Sequence, residues 1–278
     1  NGSNNDVDVS KLSITGEGGS SYSLTSSDVE VSSKTAFSVT LNAADQLNVG
    51  GLLNKNGTSS DGGTTYNLAA ADNWLAGAAA SADISDASSN GITVSNVANP
   101  TLSSAAYNAT SGVLTVTGTN FVKENGSNND VDVSKLSITG EAGSSYTLTS
   151  SDVEMSSSTQ FSVTLNAADQ LNVGGLLNKN EPISDGGTSY NLAAADDWLA
   201  GAAASVDISD TRGNGITVSN VPLPTVSGAT YDAASGELML TGTNFVSRNG
   251  SSNDIDVSKF SIAGDGGSSD TLTTEDED

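Results

Sequence analysis

Asn125-Gly-Ser-Asn-Asn-Asp-Val-Asp-Val-Ser-Lys-Leu-Ser-Ile-Thr139 occurs three times in the chain and defines its organisation. Residues 1–15 are identical to this stretch, and residues 249–263 form a third copy with a few substitutions. The copies begin 124 residues apart, and residues 1–124 align with 125–248 without a gap, with 98 identical positions. A fixed period of this length predicts tandem modules that share one fold.

Two prolines at equivalent positions suggest where each module begins. Pro100 and Pro224 each follow a short run of alternating apolar and polar residues. A proline after such a run is typical of a linker and the entry to a new strand. We therefore place a complete domain at residues 99–222. Residues 1–98 are then a domain that lacks its first strands, and residues 223–278 are the first half of a further domain.

The composition favours an all-β fold whose hydrophobic cores contain few aromatic side chains. Aromatic residues make up 5% of the 278 residues, and 30 residues are glycine. Short runs in which apolar and polar residues alternate, separated by turn residues, are typical of antiparallel strands. Their number and spacing predict tandem immunoglobulin-like β-sandwich domains. The strands predicted for the complete domain are 101–107, 113–118, 135–139, 146–149, 161–165, 190–194, 206–208 and 216–220.

Comparison of the copies predicts which side of a strand faces the core. Leu114 and Val116 are replaced by Leu238 and Leu240 in the next copy and stay apolar, whereas the residues between and beside them change character. Because side chains alternate between the two faces of a strand, Leu114 and Val116 are predicted to point inward. The same alternation predicts inward positions for Phe161, Val163 and Leu165.

One short helix is predicted to be inserted in each domain. Asn166 reads as its N-cap, and Asp169, three residues later, stands where the acidic residue of a capping box would be. The Gly174-Gly175 pair is expected to weaken the helix. Leu171, Leu176 and Leu177 are expected to cover one edge of the sheet.

The composition excludes several kinds of chemistry. The chain has no cysteine and no histidine, so it has no disulfide, thiolate site or His-activated nucleophile. No phosphate-binding glycine motif follows a strand and opens a helix. We therefore expect no enzymatic activity, and any bound metal should be a hard cation that prefers oxygen ligands.

The net charge of −24 also limits the partners. Such a chain repels nucleic acid and anionic membranes. No apolar run of bilayer-spanning length occurs, so no membrane insertion is expected. Two interpretations of the acidity stay open and are compatible: a solvated surface suited to salt, and carboxylate clusters that need divalent cations.

The opening of the complete unit carries a family resemblance. Pro100-Thr-Leu-Ser-Ser-Ala-Ala-Tyr107 followed by Gly112-Val-Leu-Thr-Val-Thr-Gly-Thr-Asn-Phe121 resembles the start of IPT/TIG-type Ig-like domains. Those domains begin with a proline, a short strand and a strand that ends Gly-x-Asn-Phe. The whole unit resembles tandem repeats of very large secreted bacterial surface proteins and adhesins. The resemblance implies an extracellular location and a role in extension or adhesion, often with calcium. The inserted helix departs from a minimal IPT/TIG domain.

Acidic loops are the candidate metal sites. Alternating oxygen ligands within one loop can converge on Ca²⁺. One acidic loop contains Asn128, Asp130 and Asp132, and a second contains Asp207 and Asp210. In an Ig-like sandwich both loops would lie at the pole where the chain enters from the preceding domain. This placement predicts a calcium ion at the domain junction. The alternative is a plain turn with outward carboxylates, and Asp61 and Asp185 are interpreted as such turns. Trp74 and Trp198 are expected to be packing residues. The candidate ligands are Asn128, Asp130, Asp132, Asp207 and Asp210, with Asn4, Asp6, Asp8, Asp83 and Asp86 in the first copy and Asp254 and Asp256 in the third.

These patterns favour a non-enzymatic structural module of a cell-surface adhesin or extracellular fibre, stiffened by calcium. Its partners would be neighbouring repeats of the same chain or identical chains. One alternative is a filament or surface-layer subunit, in which residues 223–248 of one chain complete residues 1–98 of the next by strand donation. The incomplete ends are also explained if the sequence is a window cut from a longer array. Another alternative is a glycan-binding module, although the loops at 181–183 and 211–213 differ from their counterparts and are poor shared sites.

Overall fold

The computed structural model describes residues 5–248, 250 and 253–273, and its fold is mostly β with two α-helices. We keep the predicted boundaries as names for the first repeat (to residue 98), the second (99–222) and the third (from 223). The helices are α1, Ala43–Leu52, and α2, Ala167–Leu176. The strands are β1 Leu12–Thr15, β2 Ser21–Ser23 and β3 Asn67–Ala70 in the first repeat; β4 Thr101–Asn108, β5 Val113–Thr119, β6 Leu136–Thr139, β7 Ser145–Thr147, β8 Gln160–Thr164, β9 Asn191–Ala194 and β10 Gly215–Ser219 in the second; and β11 Thr225–Asp232, β12 Glu237–Thr243, β13 Ser261–Ala263 and β14 Ser269–Thr271 in the third.

The strands of the second repeat form one sheet in the order β7-β6-β9-β10-β4-β5-β8. All neighbours are antiparallel except β10 and β4. A single residue pair, Gly215 with Asn191, joins β10 to β9, so the sheet divides there into two halves. One hydrophobic core draws Ile138 and Leu192 from one half and Leu114 from the other. The two halves therefore enclose a common core.

The predicted facing of two strands is confirmed. Leu114 and Val116 of β5 are buried, as are Phe161 and Val163 of β8 and Leu165 just beyond it. Their burial follows from the alternation of side chains along each strand. The comparison of copies thus identified the core side of the sheet correctly.

The predicted strand at 206–208 is wrong, because other groups use its backbone hydrogen bonds. The indole Nε1 of Trp198 donates to the carbonyl oxygen of Ile208 at 3.0 Å. The Asp196 carboxylate accepts from the Ile208 amide at 2.9 Å. The Val206 amide closes a turn onto the carbonyl oxygen of Ala203. Trp198 is fully buried, which confirms its predicted packing role.

Helix α2 begins as predicted, but its capping differs. The Asn166 side chain accepts from the Asp169 amide at 2.8 Å. The predicted reciprocal bond is absent, because the Asn166 amide donates instead to the Ser150 hydroxyl at 2.8 Å. Leu176 and Leu177 are buried as expected. Leu171 is 44% exposed, so its predicted place over the sheet edge is wrong.

The Asp169 carboxylate is instead the centre of a buried network, which we call the helix hub. It accepts hydrogen bonds from the Thr149 amide and hydroxyl, the Ser150 amide and hydroxyl, and the Tyr146 hydroxyl. Burial alone would raise the pKa of Asp169, but these hydrogen bonds outweigh it and hold the pKa below its usual value. The hub therefore fastens the start of α2 to the turn that follows β7. Asp45 makes the same network in the first repeat.

The first repeat has a smaller sheet. This sheet has three strands in the order β2-β1-β3, and helix α1 packs beside them. Residues 36–40 and 91–95 correspond to β8 and β10 but belong to no strand. No α-helix in the described part of the chain is long and apolar enough to cross a membrane.

Candidate functional site: the junction between repeats

The chain leaves β5 through a tight turn that anchors the next segment in the core. Asn120 has a left-handed backbone conformation (φ 59°), which asparagine tolerates better than most residues. A Cβ atom at Gly118 would lie 2.5 Å from the ring of Phe121, so the glycine lets this ring fold back over the strand. Phe121 then packs edge-on against Trp198, with ring centroids 5.5 Å apart. The Gly-x-Asn-Phe pattern thus has a packing role.

The residues that follow, 122–124, form what we call the junction segment. This segment of the second repeat lies on helix α1 of the first. The Lys123 amide donates to the carbonyl oxygen of Leu47 at 3.1 Å. Just beyond it, the Asn125 side chain donates to the carbonyl oxygen of Asn48 at 3.0 Å. One main-chain hydrogen bond and one bond from a side chain to the main chain thus hold the second repeat on the first.

Glycines on both sides give the junction segment room. A Cβ atom at Gly51 would lie 1.9 Å from the carbonyl oxygen of Lys123, and one at Gly50 would lie 2.7 Å from Cγ1 of Val122. From the other side, a Cβ atom at Gly201 would come within 3.0 Å of the Lys123 carbonyl carbon. We call the space between these three residues the glycine slot. The helix therefore tolerates two unfavourable glycines because they admit a neighbouring backbone.

The second junction repeats these contacts 124 residues later. The Ser247 amide donates to the carbonyl oxygen of Leu171 at 3.0 Å. A Cβ atom at Gly175 would lie 1.8 Å from the carbonyl oxygen of Ser247, and one at Gly174 would lie 2.7 Å from Val246. The relation between helix and junction segment is therefore a property of the repeat.

The two junctions differ in how far they close. Leu47 is 6% exposed and belongs to the core of the second repeat, whereas its counterpart Leu171 is 44% exposed. At the first junction a cavity of about 30 Å³ remains beside Gly50, lined also by Ala202 and Val206. At the second junction the groove beside Leu171 measures about 260 Å³. The turn that contains residues 201–206 thus closes the first junction.

A polar contact adds to the first junction. The Asp61 carboxylate of the first repeat accepts from the amide of Ser205 at 3.0 Å and also from its hydroxyl. These bonds with Ser205, together with Lys55 at 3.2 Å, hold the pKa of Asp61 below its usual value. Asp61, interpreted from the sequence as a simple turn residue, is therefore a junction residue.

Among the predicted metal ligands, Asp130 lies under the junction segment. Its carboxylate is fully buried and accepts from the amides of Glu124 and Met155, both at 2.6 Å. Burial, together with the adjacent Glu154 carboxyl group, raises the pKa of Asp130 to about 6. Glu154 in turn pairs with Lys123 at 3.2 Å.

Most of the other predicted ligands make short-range hydrogen bonds. Over the described ranges, no group of three or more acidic side chains is placed to hold a metal ion. The calcium assignment therefore stays a prediction, and Asn4 lies outside the described residues. Asp8, Asp132 and Asp256 accept from the amides of Ser10, Ser134 and Ser258; Asp83 and Asp207 accept from those of Ser85 and Ser209; Asp6 accepts from Val31, Asp210 from Leu102 and Asp254 from Arg248; Asp86 pairs with Ala70 through its backbone; and Asn128 is exposed.

Comparisons with known proteins identify no relative. No protein-family model, no curated protein and no solved structure matches the chain. The resemblance to IPT/TIG-type domains stays a prediction.

Sequence reasoning missed the glycine slot and the buried environment of Asp130. A signal for the slot was present: two adjacent glycines occur inside a helix in both copies, at Gly50-Gly51 and Gly174-Gly175. Glycine is unfavourable inside a helix, so its presence there suggests close approach of another backbone. What approaches was not evident, because the partner belongs to the next repeat.

The slot predicts opposite results for one substitution at two equivalent positions. Gly201→Ala should lower the free energy of unfolding by about 1 kcal/mol, because its Cβ atom presses on the Lys123 backbone. Gly77→Ala, at the same position of the first repeat, has open space within the described structure and should be neutral or slightly stabilising. Denaturant unfolding of the two variants measures the difference, and equal effects would contradict the slot.

Proposed function

We propose that the chain is a non-enzymatic structural repeat module of a bacterial cell-surface adhesin or extracellular fibre, which extends from or coats the cell. The observation that carries this proposal is the recurrence of the same junction contacts after 124 residues. When each repeat is placed on the last by the same bonds, every added repeat contributes the same step. The length of the array is then set by the number of repeats.

Each repeat is proposed to be an Ig-like sandwich. Two half-sheets joined by one residue pair enclose a single core, as the two layers of a sandwich do. A parallel pair, β10 with β4, closes one half. The helix end packs Val173, Leu176 and Leu177 into the same core. Its Leu171 and Gly175 contact the next repeat.

The junction supports a stiff rather than a freely jointed array. Only residues 220–224 separate β10 from β11. Beyond β12, residues 246–248 correspond to the junction segment, and the Ser247 amide bonds to Leu171 of the preceding helix α2. Two repeats linked by a short connection and by main-chain hydrogen bonds have little freedom to reorient. Stiffness would suit a molecule that holds a distance from the cell surface.

The proposal predicts an elongated particle whose length changes by one step per period. Removal of residues 99–222 joins residue 98 to 223 in the same register of the repeat. Small-angle scattering should show the full chain as a rod and the shortened chain as a shorter rod of the same cross-section. A flexible, broadly distributed particle would contradict a structural extension role.

The surface location has its own test. Antibodies raised against the chain should label intact cells of the source organism. Label that appears only after lysis would contradict the proposed location while leaving the rod-like architecture untouched.

The calcium component is proposed from the acidic composition and predicts a stability difference. An ion that binds only the native state raises the melting temperature by mass action. The full chain should therefore melt at a higher temperature in millimolar calcium than in chelator, with magnesium as the control for general screening. Equal melting temperatures would contradict the proposed stabilisation by calcium. They would leave the proposal of a hydrogen-bonded junction unaffected.

A further inference from the structure

The loop that follows the junction segment begins with a chemically labile pair, Asn125-Gly126. Asparagine is among the thermolabile residues of proteins. It is most labile before glycine, because the missing side chain lets the next backbone nitrogen approach the asparagine side chain. Four such pairs lie wholly within the described residues, and they begin at Asn56, Asn90, Asn125 and Asn214. The structure gives these four pairs different surroundings.

The pairs at Asn90 and Asn214 are held in place by a neighbouring chain segment. The carbonyl oxygens of Asn90 and Asn214 accept from the amides of Leu68 and Leu192, both at 2.9 Å. Both asparagine side chains donate to the carbonyl oxygens of the same two leucines, at 3.1 Å in each repeat. Main chain and side chain are therefore fixed together, which protects these two pairs from rearrangement.

The pair at Asn56 is protected through the amide of its glycine. The Gly57 amide, which would have to attack the Asn56 side chain, donates to the carbonyl oxygen of Val94 at 2.9 Å. The Asn56 side chain in turn accepts from the Val97 amide at 3.0 Å. Attack requires that these bonds break first.

The pair at Asn125 has a free attacking group. Gly126 is exposed, and within the described residues its amide makes no hydrogen bond. A Cβ atom at Gly126 would meet nothing within 4 Å, so the glycine has room to move toward the Asn125 side chain. Asn125 itself is bonded to the first repeat: its side chain donates to the carbonyl oxygen of Asn48 at 3.0 Å, and its carbonyl oxygen accepts from the Ser20 hydroxyl at 3.3 Å. The labile pair is therefore part of the first junction.

We propose that Asn125 is a site of spontaneous deamidation and that this reaction weakens the first junction. The Gly126 backbone nitrogen attacks the side-chain carbonyl carbon of Asn125, and a carbon–nitrogen bond forms. The side-chain nitrogen leaves as ammonia, which carries away the proton of the glycine nitrogen. Water then opens the cyclic imide and leaves aspartate or isoaspartate, so water is the one co-reactant. The proposal is independent of the proposed cellular role.

The product cannot make the bond that Asn125 makes. A carboxylate has no hydrogen to donate, so the Asn48 carbonyl oxygen would face another oxygen. Asn48 lies in the C-terminal half of α1, where the helix dipole disfavours a negative charge. Deamidation thus replaces an attractive contact between two repeats by a repulsive one. Because the reaction is irreversible, the fraction of weakened junctions rises with the age of the molecule.

Peptide mapping by mass spectrometry tests the site. The full chain is incubated at physiological temperature and mildly alkaline pH, and conversion is followed at each asparagine. Asn125 should be converted well before Asn56, Asn90 and Asn214, and faster as the pH rises, because the attacking nitrogen must lose its proton.

Gly126→Ala is the matched control for the chemistry. The new methyl group meets open space, so the bond between Asn125 and Asn48 is kept while the attack is hindered. This variant should retain Asn125 unconverted. Conversion of Asn125 no faster than that of the other three asparagines, or equally fast in Gly126→Ala, would overturn the proposal.

Thermal unfolding tests the consequence for the junction. Asn125→Asp, which is one of the two products, should lower the melting temperature of the full chain by about 2–4 °C, the effect of one lost hydrogen bond in a chain of this size. The incubated parent chain should show a similar loss, and incubated Gly126→Ala should show none. Complete conversion of Asn125 with an unchanged melting temperature would overturn the weakening of the junction.

Discussion

Gly51→Ala should uncouple the first two repeats, although alanine is the better helix former. Helix propensity alone predicts a gain of about 1 kcal/mol. The new Cβ atom would instead lie 1.9 Å from the Lys123 carbonyl oxygen, so the junction segment must leave the helix. The Lys123–Leu47 bond is then lost and Leu47 becomes exposed. We expect the free energy of unfolding to fall by about 2–3 kcal/mol, since a lost hydrogen bond costs about 1 kcal/mol and an exposed leucine somewhat more.

Chemical denaturation followed by tryptophan fluorescence measures this loss. Gly77→Ala is the matched control, because a Cβ atom at this position meets open space within the described structure. That variant should unfold like the parent chain. A Gly51→Ala chain that is as stable as the parent, or more stable, would mean that helix propensity dominates and that the two repeats do not depend on this contact.

Asp169→Asn should be the most damaging change within a single repeat. The carboxylate accepts from two backbone amides and three hydroxyl groups at the helix hub. An amide group replaces one acceptor oxygen by a donor, which leaves buried donors facing each other. Each unsatisfied buried group costs about 1–3 kcal/mol, so a loss of about 3 kcal/mol or more is expected. Thermal unfolding of the full chain measures it.

Asp197→Asn is the control, because the first repeat has Asn73 at the same exposed position with the same backbone conformation.

The pH dependence of stability distinguishes the effect of the negative charge of Asp169 from the effect of its side-chain shape. The pKa of Asp169 is held below its usual value in the folded state, so its contribution is present at neutral pH and is lost as the pH falls through the folded-state pKa. The parent chain should therefore lose more stability on acidification than Asp169→Asn. Parallel pH profiles would contradict a hub role for the ionised carboxylate.

Local patterns were enough to predict most elements of the second repeat. The alternation in β5 and β8 predicts the inward residues correctly, and Asn166 predicts the start of α2. The strand predicted at 206–208 fails because the indole of Trp198 and the carboxylate of Asp196 bind its backbone. Such a long-range use of backbone groups leaves no periodic signal in the sequence.

The candidate site could be predicted only in part. Placing functional residues at the domain junction was reasonable for Asp130, which lies beneath the junction segment. Its burial was not predictable, since the carboxylate of Asp132, two residues later in the same motif, bonds locally to Ser134. The glycine slot forms only where two repeats contact each other. Hydrophobic periodicity and helix propensity describe the residues of one repeat and carry no information on its neighbour.

A distance between two spin labels tests most directly whether neighbouring repeats hold one fixed position relative to each other. Ser23→Cys and Thr147→Cys place labels at equivalent exposed positions of β2 and β7, in a chain that has no other cysteine. Pulsed dipolar spectroscopy should give one narrow distance distribution, which becomes broad when Gly51→Ala is added. A broad distribution in the parent chain would show that the junction does not fix the repeats.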